Sequence, residues 1–309
     1  MAMSPDPASS HPVQSPGPDT DLGTAAATGP PSPGGCDRFN IGDALHDGMT
    51  AFRRAPLSFS LFSAGLTGLQ VLLLPLQERL LVEPGRSLQP LDVVLFLLGF
   101  HLSLAVSLWG SQGLVRGAWE ALAGQRPTLI SLLRWDGKGF ARLIKAWALL
   151  GLLLVIPLVV LLAALGIALL LAATVRGGSP QPEPLMLASL VVGAVALAAL
   201  GAFGLLLTYL GVNQQFLAQI ALLEGTNGIT TLRRGQKLVD HQWLLLLLLL
   251  LIKALLLLLG GLLAFITLGI GWILAWPLVS CITTAAYRQL RQRESGATAA
   301  WEGQLNRTG

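Results

Sequence analysis

Residues His241 to Leu259 read HQWLLLLLLLLIKALLLLL, one lysine among fourteen leucine and isoleucine residues. With the apolar residues that follow, a helix rising ~1.5 Å per residue is long enough here to cross ~30 Å of hydrocarbon. The stretch decides the fold class, because such a surface belongs in a bilayer. It also raises a question at Lys253. A lysine at mid-bilayer costs ~2.5–3.5 kcal/mol on insertion scales, and either interface is about 15 Å away by helical rise, beyond the side chain's reach.

Outward from this stretch the same composition recurs. The chain has 309 residues, 53% hydrophobic and 12% charged, against about 25% charged in soluble proteins. Aliphatic runs place six spans at 57–77, 91–115, 147–173, 185–210, 243–266 and 271–289. The short alternating segments of a β-barrel are absent. The expected fold is therefore all-α, a polytopic membrane bundle of six transmembrane helices arranged as three hairpins. A turn through Thr267-Leu268-Gly269-Ile270-Gly271 divides the last apolar run more evenly than one at Gly260-Gly261, and leaves Trp272 near the interface.

Residues 1–36 hold eight of the 18 prolines and show no apolar periodicity, so a disordered tail is expected there. The membrane domain is expected over 37–292, with a second tail over 293–309. Asn40, followed three residues later by Asp43, predicts a helix starting at Ile41. The cysteines, Cys36 and Cys281, suggest neither a disulfide framework nor a metal site.

Three spans are preceded by short amphipathic segments that align without gaps on Gly48, Phe52, Pro56; on Gly139, Leu143, Trp147; and on Gly235, Val239, Trp243. Each unit reads as an interfacial amphipathic helix followed by a transmembrane hairpin, an internal repeat. In the second segment Phe140, Leu143, Ile144 and Trp147 form one face opposite Arg142 and Lys145. Ile41, Ala44, Leu45 and Phe52 do so in the first, and Ile229, Leu232 and Val239 in the third. Sixteen of the twenty basic residues fall on one side of the spans, against Arg79, Arg86 and Arg176 on the other. Basic flanks resist translocation, so both termini are expected in the cytoplasm. Arg53, Arg54, Arg142, Lys145, Arg233, Arg234 and Lys237 are the candidate contacts to anionic lipid headgroups. Membrane lipids and an unidentified protein are the expected partners, and nucleic acid is not.

The run ALLEGTNGITTLRRGQKLVDHQWLLLL, Ala221 to Leu247, and TLGIGWILAWPLVSCITTAAYRQL, Thr267 to Leu290, carry a resemblance. Glu224-Gly225, the basic helix ending at Trp243, the Gly-Ile-Gly turn, Pro277 and the terminal Ala-Ala-Tyr-Arg resemble the YciC-like group of uncharacterised bacterial six-span membrane proteins. That group is similar to the membrane domain of some glycerophosphodiester phosphodiesterases. Gly235-Gln236-Lys237 stands where the group has a Ser-Trp pair. The resemblance implies fold, topology and a bacterial cytoplasmic membrane, and transfers no activity to any residue.

No HExxH, GxSxG or P-loop motif occurs, and the four histidines are scattered. Neither enzymatic activity nor a cofactor is expected. The candidate intramembrane polar site comprises Lys253, His101, Gln70, Ser103 and Ser107, with Asn213, Gln214, Gln215 and Gln219 where the fourth span emerges. Ser103, Ser107 and Ser111 form a hydroxyl stripe that lines a water path or permits close helix contact; Ala194, Ala198 and Ala202 read as a packing stripe. The expected function is a noncatalytic scaffold or lipid-interacting module, and the alternative is a transporter or channel for a small anion or lipid with Lys253 beside its path.

Overall fold

The Asn40 side chain accepts a hydrogen bond from the Gly42 amide at 2.9 Å and opens helix α1 (Ile41–Arg54), which has Asp43 in its first turn and Arg53 and Arg54 in its last. This distribution of charge complements the helix dipole. Ala55 leaves helical geometry, and Pro56, which has no amide proton to donate, opens α2 (Pro56–Glu78). The computed structural model describes residues 39–78, 89–178 and 182–308, so the tail expected over 1–36 lies outside them. After α2 come α3 (Pro90–Leu122), α4 (Leu129–Leu133), α5 (Gly137–Gly178), α6 (Pro182–Gln214) and α7 (Leu217–Gln219). A π-helical turn, Ile220–Glu224, leads to α8 (Ile229–Val239), α9 (Trp243–Ile266) and α10 (Ile270–Thr308).

Six of these, α2, α3, α5, α6, α9 and α10, are long and apolar enough to cross a membrane, and the described residues contain no strand. The fold is an all-α membrane bundle. α2 packs on α3, α5 on α6 and α9 on α10 as three hairpins. The last hairpin turns at Thr267–Gly269, where Leu268 and Gly269 take positive φ of 51° and 102°. Gly260 stays inside α9 and receives the Ala275 side chain of α10, so this glycine serves close contact and does not break the helix.

α10 is the central element, packing on α1, α2, α3 and α9. The α5–α6 hairpin meets the rest through α3, α8 and α9, while its bilayer-level faces stay exposed, as at Leu152, Val159, Leu197 and Leu205. Ala194, Ala198 and Ala202 are exposed too, so they pack against nothing in this chain. The buried core gathers where α1, α4 and α8 lie. One cluster contains Phe39, Phe216, Leu246, Leu249, Ile282 and Tyr287, and another contains Phe59, Phe62, Leu114, Leu132 and Cys281.

The structure differs from the sequence reading in three places. The second amphipathic segment is not a separate helix but the opening of α5, because Arg142-Leu143-Ile144-Lys145-Ala146 contains no proline like Pro56 and no 3₁₀ turn like Asp240–Gln242 to interrupt it. The buried stripe of each segment runs through its glycine: Ala44, Gly48, Ala51; Gly139, Leu143, Ala146; and Thr231, Gly235, Val239. Ile144, Trp147 and Ile229 point outward, since what these helices meet is neighbouring helix backbone, which bulky side chains would hold off. Finally, α10 continues to Thr308 through the tail expected over 293–309, a segment with no proline and many good helix formers.

Each of the three glycines lies against the second helix of a different hairpin. A Cβ added at Gly48 would stand 2.5 Å from Ile282 Cα on α10; at Gly139, 2.8 Å from Gln112 Nε2 on α3; at Gly235, 2.7 Å from the Asn213 carbonyl on α6. The first segment thus seats on the third hairpin, the second on the first and the third on the second, which closes a ring.

Candidate functional site

The hydroxyl stripe of α3 and the carboxamide of α2 meet at one seam. Gln70 donates to the Ser103 carbonyl and to Ser107 Oγ, each at 2.9 Å, and its own carbonyl accepts from the Ser103 hydroxyl. Ser111 donates to the Ser107 carbonyl at 2.9 Å. Two turns along α2, Gln77 donates to the Gly99 carbonyl at 3.2 Å. In hydrocarbon these groups find in each other the partners that water would otherwise supply.

His101 and Lys253 do not join that seam. His101 is exposed on α3, with Nδ1 2.6 Å from the Leu97 carbonyl of its own helix. Lys253 belongs to another hairpin, on the α9 stripe that also buries Leu246 and Leu249. It is 7% exposed and makes no hydrogen bond or ion pair among the described residues. The question raised by the leucine run is thus answered geometrically: the side chain is enclosed by protein.

Where α6 emerges, the carboxamides tie it to three other helices. Gln214 donates to the Leu232 carbonyl on α8 at 3.3 Å, Gln215 to the Leu246 carbonyl on α9 at 3.4 Å, and Gln219 to Thr284 Oγ1 on α10 at 3.5 Å. Their oxygens are buried without partners, and so is Asn213 Nδ2.

The seven basic residues expected at lipid headgroups divide in two. Arg234 pairs with both oxygens of Glu294 and donates Nε to Glu224 at 3.0 Å, while the Tyr287 hydroxyl donates to Glu224 Oε1 at 2.7 Å. The Glu294 hydrogen bonds, then those of Glu224, raise the guanidinium's pKa above its ordinary value despite partial burial. Arg54 donates to the Ala121 carbonyl at 2.5 Å, and Arg288 to that of Leu122 at 2.5 Å, which places two cations at the negative end of α3. Arg142 donates to the Lys138 carbonyl at 3.3 Å. Arg54, Arg142 and Arg234 are thus engaged within the protein. Arg53, Lys145, Arg233 and Lys237 are exposed and make no hydrogen bond or ion pair among the described residues.

A cavity of about 220 Å³ between α2, α3 and α10 was not anticipated. Ser63, Thr67, Gln70 and Ser107 face Trp272 and Trp276 across it. The spacing of Ser63, Thr67 and Gln70, at i, i+4 and i+7, was its available sequence signal. Nothing in the sequence announced that Glu224, Arg234, Tyr287 and Glu294 converge, because three separate elements bring them together. No group of three or more His, Cys, Asp or Glu residues able to hold a metal occurs among the described residues.

No protein-family model, curated protein or solved structure matches the chain. The resemblance to the YciC-like group rests on the residues quoted for it, and two of those, Glu224 and Tyr287, are hydrogen-bonded to each other.

Proposed function

We propose that this chain is a noncatalytic scaffold and lipid-interacting module of the bacterial cytoplasmic membrane, of the YciC-like kind, with both ends cytoplasmic and a basic rim that holds anionic headgroups. The observation that carries the reading is the unspent charge of Arg53, Lys145, Arg233 and Lys237, of which Arg53, Arg233 and Lys237 precede the first and fifth spans and Lys145 lies near the start of the third, so that they share one end of the bundle. Basic side chains at an anionic surface contribute about 1 kcal/mol each. Seating of the three glycines on three different hairpins supports the threefold repeat, since it distributes the rim around the bundle.

The alternative, a transporter with Lys253 and the serine stripe along one path, has less support. Ser103 and Ser107 are hydrogen-bonded to Gln70, and Lys253 lies on a different hairpin. The test is retention of phosphatidylglycerol by the purified protein, read by native mass spectrometry. Changing Arg53, Lys145, Arg233 and Lys237 together to Gln should remove the bound anionic lipid and leave the fold intact. Undiminished retention would overturn the reading.

A further inference from the structure

The cavity between α2, α3 and α10 lies midway along α2 and α3 and beside the first two turns of α10, just after the α9–α10 turn. Its hydrogen bonding is incomplete in one direction. Gln70 spends both amide protons on Ser103 and Ser107, and Ser107 Oγ only accepts. Ser63 is 3% exposed, yet its hydroxyl has no hydrogen-bond partner among the described residues, and the Thr67 hydroxyl has none either. Three hydroxyl donors therefore converge on one cavity with their protons unspent.

The lining names the chemistry of the occupant. Among the described residues no ionisable side chain borders the cavity, so a charged phosphate would find no counter-ion from them, whereas an uncharged acceptor such as a carbonyl would be matched. At about 220 Å³ the space is below the ~300 Å³ at which pockets begin to enclose whole ligands, so it accommodates part of a molecule. The remainder leaves past Trp276, which is 37% exposed on a surface that faces hydrocarbon. Trp272 and Trp276 stand within two turns of the start of α10, and indoles settle at the level where headgroups give way to acyl chains.

We infer that this cavity holds the glycerol-ester region of one membrane acyl lipid, its two ester carbonyls accepting between them from the Ser63, Thr67 and Ser107 hydroxyls while the chains lie outside in the bilayer. The site is independent of the basic rim, and its test avoids anionic lipid. Full-length protein is placed in phosphatidylcholine vesicles with a trace of phosphatidylcholine carrying a diazirine beside the sn-2 ester, and the photolabelled peptides are mapped. Label should appear in the segments 63–70 and 272–276. An ether-linked phosphatidylcholine, lacking the carbonyls, should compete at least about fivefold less well than its ester counterpart, since the loss of even one of the hydrogen bonds is worth that much. The double substitution Ser63→Ala, Thr67→Val, which removes two of the three donors, should lower labelling of those segments at least about fivefold without changing it elsewhere. Equal competition by the ether lipid in the unaltered protein would overturn the proposal even if the variant failed to fold. So would undiminished labelling of a folded variant, and absence of label from both segments would mean that the cavity holds only water.

Discussion

Lys253 and Gln70 show two fates of a polar residue inside a bundle. Gln70 is matched on both its amide and its carbonyl by hydroxyl and backbone groups of α3, so its cost in hydrocarbon is offset where it stands. Lys253 has no such match among the described residues, and its 7% exposure denies it an aqueous one. Breaking a buried pair destabilises, whereas removing a buried charge that has no pair relieves desolvation. Lys253→Met, which keeps the unbranched shape, is therefore expected to stabilise the folded protein by about 1–3 kcal/mol. Unfolding in mixed micelles titrated with SDS measures this, and a loss of stability would show that the ammonium has a partner worth more than its desolvation.

At the scale of elements, glycine placement decides how the helices seat. A Cβ at Gly48 would meet the Cα and backbone nitrogen of Ile282 at 2.5 and 2.8 Å, neither of which can swing aside as a side-chain tip can. Gly48→Ala should therefore push α1 off α10 and cost about 1–3 kcal/mol. Gly201→Ala, on α6 where a Cβ meets nothing within 4 Å, should be neutral or stabilise by up to about 1 kcal/mol, because alanine is the better helix former. The same micellar unfolding distinguishes the two, and equal effects would deny α1 its close seat. Pro56 and the Asp240–Gln242 turn separate α1 and α8 from the long helices that follow them, while α5 lacks any such interruption at its opening and runs on from its amphipathic segment.

For the whole molecule, six helices long enough to cross, taken as three hairpins, would put the rim that carries α1 and α8 on the same side as the far end of α10. Arg234 on α8 bridges Glu224, at the end of the π-helical turn, and Glu294 on α10, an ion-pair network placed where all three elements meet. Tags fused to the two ends should both be digested by protease in inside-out vesicles and both be protected in intact spheroplasts. Opposite behaviour of the two tags would require an odd number of crossings and would dismantle the hairpin arrangement.

The span positions, the turn at Thr267–Gly269 and the cap at Asn40 were legible in the sequence, because each depends on local signals: a run of apolar residues, a glycine tolerating positive φ, a side chain two residues from an amide. The glycines of the amphipathic segments were legible as a pattern but not as contacts; Ile41, Leu45, Phe52 and Phe140 pack inward as their periodicity indicated, while Ile144, Trp147 and Ile229 are exposed. Composition along a chain determines which segments enter the bilayer, since transfer from water into hydrocarbon is a property of each segment by itself. Once inside, lipid is as apolar as leucine, and the bundle is sorted by close fit and by hydrogen-bond partners far apart in sequence. That is why only the tertiary structure decided that Gln70 meets Ser103 and Ser107, that Lys253 is enclosed without them, and that Glu224, Arg234 and Glu294 share one site.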